Sequence, residues 1–422
     1  MSLPLQGELL SLNVVGALFF VGIDWAAAVH AVCVLDSDGR KVAAFTVEHS
    51  AAGLAGLVRR LARLGDPQTM PVAVERPDGR LVDALLQAGH PVVPVKPNAI
   101  KTWRESEAGS GAKSDAGDAY VIADYLRCRQ RRLTVAVPYS AQTKALRTVV
   151  RTRDDLVDTR VAATNQLAAL LDAHWPGAKA IFADVESPIA LEFLTRYPTA
   201  RHAAHLGAKR LTAFCVKHHY SGRRTGEALL ARLRAAPAGT LDETLCQAVH
   251  HAVIALVTVL KALGAALKDL SRSVTATLGE HPDGEIFTSL PRSGQINAAQ
   301  ILAEWGDARQ AYDRPDSVAA LAGVTPVTKE SGKHRAVHFR WACNKRFRVA
   351  VTTFADNSRH ASAWAANVYT QARARGHDHP HAIRVLARAW IRVIWRCWTD
   401  RVPYHPARHG NAQQLNLQDQ AA

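Results

Sequence analysis

Four carboxylates and one hydroxyl are the residues of this sequence best placed to do chemistry. Asp24 closes the apolar run "ALFFVGIDW", Glu75 closes "PVAVE", and Asp115 and Asp118 stand three apart in "KSDAGDAYVIADY", where a helix begins. Residues three apart share a helix face, so the two charges repel unless a cation or the helix N-terminus offsets them. On that stretch alone, capping by Ser114 or Asp115 explains the pattern. Convergence of all four acids changes the balance. Carboxylates crowded together, with no nearby lysine to pair with all of them, are tolerable mainly around a divalent cation such as Mg²⁺, with Mn²⁺ the alternative. Two such ions about 4 Å apart stabilise both the attacking and the leaving oxygen of a phosphodiester displacement. The hydroxyl is Ser331, in a polar loop with Gly332, flanked by Lys329, Lys333, His334 and Arg335. A loop serine is ordinarily only a solvated hydroxyl. Cationic neighbours, however, would stabilise the charge that develops as it attacks a phosphate, and the glycine permits close backbone approach.

The elements that must bring the acids together are legible in the pattern. "ALFFVGIDW", "VHAVCVLD" and "KVAAFTVEH", with the turn "DSDG" between the last two, predict a three-stranded antiparallel meander. Ser50 then precedes a helix whose leucines 54, 57, 61 and 64 recur at helical spacing before Gly65. A strand at "PVAVE", a helix from about Leu81 to Gln87, a strand at "PVVPV" and the helix opening at 113 complete the order β-β-β-α-β-α-β-α. In a mixed sheet of this order the first and fourth strands can lie side by side, which puts Asp24 and Glu75 at neighbouring carboxyl ends. The helix from 113 can pack across that edge.

That order and those positions resemble the ribonuclease-H-like fold of Holliday-junction resolvases. An actin-like sugar kinase or ATPase also begins with a "GID" strand and a meander, but needs further glycine-rich phosphate loops. The chain shows no second loop of that kind and no GxxxxGK[ST].

Downstream, residues 142 to 173 predict one long helix, ended with the help of Pro176. A second long helix carries Val249, Val253, Leu256, Leu260, Leu263, Leu267, Leu270 and Val274, an alternation of four and three that argues for a coiled coil. The two helices either pair within the chain or form an oligomerisation arm. Residues 180 to 240 between them read as a small basic helical insert. "SLPRSGQINAAQILAEWGD" reads as a turn at Pro291 to Gly294 before a helix, as in helix-hairpin-helix modules that hold a DNA phosphate. Arg292 and Ser293 stand there in place of glycines. Arg384, Arg388, Arg392 and Arg396 recur four apart on a last helix, a stripe suited to phosphate contact in a basic region. "HDHPH" at 377 to 381 reads as loop and helix start, because no cysteine or carboxylate framework completes a metal site.

Composition sets the frame. With 422 residues, 48% of them hydrophobic, the chain has the material for two or three domains. A net charge of +15 favours a polyanionic partner. Residues 1–100 hold eight Lys/Arg against nine Asp/Glu, whereas residues 327–401 hold fifteen against four, so the basic surface is mostly C-terminal. Six cysteines, at 33, 128, 215, 246, 343 and 397, are far apart with no CxxC pair, which points to reduced thiols in a cytosol. The apolar opening lacks a positive leader and is shorter than the roughly 20 residues of a membrane span, so no membrane partner is expected.

Taken together, "GIDWA", "AVERPDG", "KSDAGDAYVIADYL", "LPRSGQINAAQILAEWGD" and "LAGVTPVTKESG" resemble, in order, the DEDD transposases of the IS-one-ten family, relatives of the pilin-gene invertases. The resemblance spans roughly residues 20 to 400. It implies a RuvC-like α/β domain at 18–140, a helical coiled-coil connector with an insert at 141–280, and a mostly helical basic transposase domain at 281–402. An extension at 1–17 and a tail at 403–422 flank them. It also implies an acidic tetrad of Asp24, Glu75, Asp115 and Asp118, a serine nucleophile at Ser331, and nucleic-acid contacts from Lys329, Lys333, Arg335, Arg384, Arg388, Arg392 and Arg396. Expected partners are donor and target DNA, a bridge RNA encoded in the element's end, and further copies of the chain as dimer and tetramer. Tetrad and serine would then come from different subunits, in the cytoplasm at the nucleoid. The rival expectations are a structure-selective nuclease in which water attacks, and a non-catalytic nucleic-acid packaging protein.

Overall fold

The computed structural model describes residues 18–76, 78–107, 114–331 and 334–408. It divides into two compact units: the residues up to Ser140 with Asp307–Val318, and Ala141–Gly306 with the chain from Ala319 onward.

In the first unit, β1 (Phe19–Asp24), β2 (Val29–Asp36) and β3 (Lys41–Glu48) form the expected antiparallel meander. Helix α1 (Ala51–Ala62) follows, with the Ser50 hydroxyl accepting from the Gly53 amide. Strand β4 (Val72–Val74), helix α2 (Arg80–Gln87) and strand β5 (Val92–Pro94) come next. The sheet order is β3-β2-β1-β4-β5, with β4 parallel to both β1 and β5. The first and fourth strands are therefore neighbours, as the sequence order allows. Two helices then close the unit: α3 (Pro97–Glu107), absent from the sequence reading, and α4 (Asp115–Arg129). Pro97, Ile100 and Trp103 carried the signal for α3, a helix-compatible proline followed by apolar residues three apart.

Side-chain alternation assigns the faces. Val21, Ile23, Val72 and Val74 join Leu57, Leu61, Leu81 and Leu85 in a core on the α1–α2 side. Phe20 and Ala73 turn the other way, toward Ile122 and Leu126 of α4, while Ala119 and Ala123 meet Ala31, Cys33 and Leu35. The backbone of α4 lies directly on β1 at Gly22. A Cβ there would stand 2.3 Å from both the Ala119 carbonyl oxygen and the Ala123 amide nitrogen. Only glycine permits that approach.

The second unit is helical. The long α5 (Ala141–His174) is followed by α6 (Pro176–Ile181), α7 (Pro188–Arg196), α8 (Ala208–Lys217) and α9 (Gly226–Ala235), and then by the 38-residue α10 (Glu243–Glu280). The 180–240 insert is thus helical as read. It packs its Phe182, Phe193 and Phe214 into one core with Leu167 and Leu171 of α5 and Val249, Val253, Val257 and Leu260 of α10. Helices α5 and α10 pair within the chain, and the Arg153 Nε donates to the Ser271 Oγ across them at 2.9 Å. The buried stripe runs through Val257 instead of Leu256, because α10 here meets several helices and not a single coiled-coil partner.

Beyond α10 come α11 (Gly284–Thr288), α12 (Gly294–Trp305) and α13 (Pro315–Leu321). The turn between α11 and α12 places Arg292 at φ 56° and Gly294 at φ 63°. Ser293 is buried, its hydroxyl donating to the Phe287 carbonyl at 3.0 Å. A two-stranded hairpin, β6 (Val327–Ser331) and β7 (His334–His338), precedes α14 (Lys345–Ser358), α15 (Ala363–Ala374) and α16 (His379–Asp400). The loop expected around Ser331 is therefore the tip of a β-hairpin. "HDHPH" is a helix start as read, with the Asp378 side chain accepting from the His381 amide. No helix among the described residues is long and apolar enough to cross a membrane.

Candidate active site

The register of β1 against β4 pairs Ile23 with Val74, so Asp24 and the following Glu75 emerge at the same end of adjacent parallel strands. Asp24 follows Phe20 and Gly22 on the face toward α4, and Glu75 follows Ala73 on that same face. Helix α4 runs so that Leu126 covers Phe20, and Ala119 lies near Gly22 and Ala31, which is the partner of Asp24. Its N-terminal turn, with Asp115 and Asp118, accordingly points toward the end of β1 that carries Asp24. Ser114 caps that turn by accepting from the Gly117 amide at 3.1 Å. Asp24 and Glu75 are half-buried, Asp115 is exposed and Asp118 is buried.

The side chains do more than the sequence suggested. Arg104 of α3 places its Nη2 2.5 Å from the Asp118 carboxylate, a pairing absent from the sequence reading, which had no helix there. Its neighbour Trp103 donates through Nε1 to Asp124 at 3.1 Å, fixing α3 on α4. Arg76, next to Glu75, stacks over Trp25, next to Asp24, with its guanidinium carbon 4.8 Å from the ring centroid. The two acid-bearing loops are thereby tied together. Behind them, the buried His30 accepts from the Ala26 amide through Nδ1, and its Nε2 lies 2.8 Å from the His49 Nδ1. Burial, then the neighbouring His49, pushes the His30 pKa below the ordinary imidazole value. Neither Arg76–Trp25 nor His30–His49 was foreseen, since each joins residues distant in sequence.

Strand topology and α4 thus bring the backbone positions of the four acids to one face and one end of the sheet. Among the described residues, no group of three or more His, Cys, Asp and Glu side chains stands close enough to hold a metal ion. Four hard oxygen donors at one sheet edge suit Mg²⁺ or Mn²⁺ in donor chemistry, and Arg104 neutralises one of them as the side chains stand.

The remaining site residues lie in the second unit. Ser331 and Lys329 are exposed on β6, and Ser331 pairs with His334 across the tip. Arg335 pairs through its backbone with Glu330, while Lys333 and the side chain of Arg335 lie outside what is described. The arginine stripe of α16 is not uniform. Arg384 and Arg388 are half-buried, Arg392 and Arg396 exposed, and Arg396 pairs with Asp400 at 2.6 Å. Burial lowers the Arg384 pKa, and its guanidinium lies 4.9 Å from the centre of the Phe339 ring. Elsewhere in this unit Glu304, 2% exposed, takes a fork from Arg151 at 2.7 and 2.9 Å and a bond from the Asn344 side-chain amide at 2.6 Å. Burial opposes its ionisation, but those donors and Arg147 outweigh burial and hold the carboxyl below its ordinary range.

An acid-edged mixed sheet in one unit and a basic helical bundle in the other are the parts of an enzyme that works on polynucleotides. Comparison makes the class specific. A family model described as "Transposase", of the DEDD IS110 type, matches residues 21–176, and a second, "Transposase IS116/IS110/IS902 family", matches residues 284–370. The "Mini-circle putative transposase for IS117" of Streptomyces coelicolor is 31% identical over 92% of this chain and 96% of its own length. The "Insertion element IS900 uncharacterized 42 kDa protein" of Mycobacterium paratuberculosis is 26% identical over 92% and 97%. The chain belongs to the IS110 family of insertion-sequence transposases, and is a DNA transposase.

Proposed function

We propose that this transposase exchanges DNA strands through a covalent phosphoserine at Ser331, assisted by a divalent cation held by Asp24, Glu75, Asp115 and Asp118 in a ribonuclease-H-like first domain. The observation that carries the reading is the register. Asp24 and Glu75 leave adjacent parallel strands at one level and on one face, over which the N-terminus of α4 presents two more acids. A bound cation would offset the charge gathering on the attacking and leaving oxygens. The chain's own residues do the rest. The Ser331 oxygen forms a bond to the scissile phosphorus, one strand P–O bond breaks, the serine proton is released, and the departing deoxyribose oxygen takes up a proton. Lys329 and Arg335 offset the phosphate charge. Attack by the hydroxyl of a second strand reverses these changes, so the ester bond is conserved without nucleotide hydrolysis. Arg392 and Arg396 contact backbone phosphates, and an element-encoded bridge RNA selects the target by pairing. Tetrad and serine meet between subunits of a dimer or tetramer.

Trapping on labelled DNA in the presence of Mg²⁺ tests this. Ser331→Ala should give no protein-DNA adduct, and Asp115→Asn should block cleavage. Adducts persisting in the first variant would move the nucleophile to another residue, and free 5′-phosphate ends produced at the normal rate would replace the serine by water; unchanged metal-dependent cleavage in the second would defeat the tetrad.

A further inference from the structure

Of the nine tryptophans in the chain, eight are buried or half-buried, and Trp341 alone is exposed. At 78% exposure it is also the most exposed large apolar side chain among the described residues. It stands just past β7, in the segment "HFRWACNKRFR", which has four Lys/Arg and no acid. Aromatic rings set in a basic surface are the groups that stack on nucleic-acid bases, so an exposed indole in this segment suits a flat, anionic partner.

The indole is also held in place. Its ring meets that of Phe339 edge-on at 4.9 Å and 77°. Phe339 in turn carries two guanidinium groups, Arg348 of α14 at 4.4 Å and Arg384 of α16 at 4.9 Å from its ring centre. Arg340, between the two rings in sequence, donates through Nε to the Thr325 carbonyl at 3.0 Å and anchors the strand end to the chain before β6. Lys345, exposed at the start of α14, adds a further cation four residues along the chain. A solvent-facing ring, held edge-on against Phe339 in a basic segment, is what stacking on an unpaired base requires. A base within a duplex is already stacked on both faces and cannot be reached this way.

We propose that Trp341 is a stacking platform for an unpaired base of the DNA substrate, engaged when the strand is opened. The proposal rests on the chain being a DNA transposase. It is independent of Ser331 and of the acidic tetrad, because binding needs no cleavage. The charge of the segment commits the surface to nucleic acid over a second copy of this chain, whose corresponding surface is equally basic.

The test is fluorescence anisotropy with the full-length chain in EDTA, using a labelled single-stranded DNA of about 30 nucleotides, its duplex, and an RNA of the same sequence. Trp341→Ala should weaken single-stranded DNA binding about tenfold, the loss of one base stack. Trp341→Phe should restore most of that affinity, and duplex affinity should be unchanged in both variants. Equal single-strand affinity in Trp341→Ala overturns the proposal, as does an equal loss on duplex, which would indicate a general phosphate surface. A loss confined to RNA moves the platform to the wrong polymer. A change of mass by light scattering in Trp341→Ala assigns the indole to a contact between copies and likewise refutes it.

Discussion

The two units present the residues proposed to react in opposite ways. In the first, Asp24 and Glu75 sit at the ends of strands whose other residues are almost wholly buried, so the sheet register and α4 over-determine where they stand. In the second, Ser331 ends a strand exposed along nearly its whole length and paired to one other strand. An isolated two-stranded hairpin is only marginally stable by itself. Under the proposed chemistry, the difference teaches that the acids stand on positions set by a packed sheet, whereas the serine stands on an exposed two-stranded ribbon. Charge follows the same division, near neutral in the first hundred residues and strongly positive across 327–401.

The largest blow to the rigid side of this comparison is Gly22→Ala. The added methyl would meet α4 backbone that cannot move without unpacking the helix, at a cost of about 3 kcal/mol or more. Hydrogen exchange should show β1 and α4 losing protection together, and unaltered protection would mean that α4 is not what fixes the acid-bearing face. In the second unit the equivalent anchor is polar. Glu304→Gln leaves the Arg151 fork without its charge partner and should cost about 2 kcal/mol, toward the lower part of the range for a broken buried pair because Arg151 is one-third exposed. Denaturant unfolding measures this, and a shift below about 0.5 kcal/mol would make the network dispensable.

Acid should separate the units without mutation. His30 and His90 are buried in the first unit, and burial holds both pKa values below the ordinary imidazole value. Their depressed values mean that the unfolded chain takes up protons first, so their contribution is complete above about pH 6.5 and declines as pH falls below it. Glu304, also depressed, contributes above its unfolded value near 4.3 and loses that contribution only as pH falls through its lower folded value. His202 and His381 of the second unit shift as the buried histidines do, but both are exposed. Exchange at pH 5.5 should therefore quicken in β1 and β2 before α14, whose capping Asn344 bonds Glu304. The smallest effect sharpens the cation assignment. Arg104→Ala should change stability in EDTA by about 1 kcal/mol or less, yet enlarge the stabilisation by Mg²⁺, because Asp118 loses the Arg104 charge that competes with a metal ion. An unchanged Mg²⁺ response would take Asp118 out of the proposed ligand set.

Much of the first unit was legible because its signals are local. Alternation marked the meander, leucine spacing and Ser50 marked α1, and the order of strands allowed β1 and β4 to be adjacent. Helix α3 was missed because it is short and mostly polar, with only Ile100 and Trp103 marking its inner face, and with it went Arg104, which pairs with Asp118. The hairpin around Ser331 was missed because "VTKESGKHRAVH" is polar on both sides, and a two-stranded ribbon with little buried face leaves a weak period-two pattern.

The sequence by itself determined which residues could react, where charge accumulates along the chain, and the order of elements, because composition and periodicity are properties of neighbours in the chain. Only tertiary structure decided that Gly22 seats α4 on β1, that Arg104 rather than water meets Asp118, and that Trp341 among nine tryptophans faces solvent. Each of those outcomes depends on atoms that come together only when distant segments pack, and no local pattern encodes such a meeting.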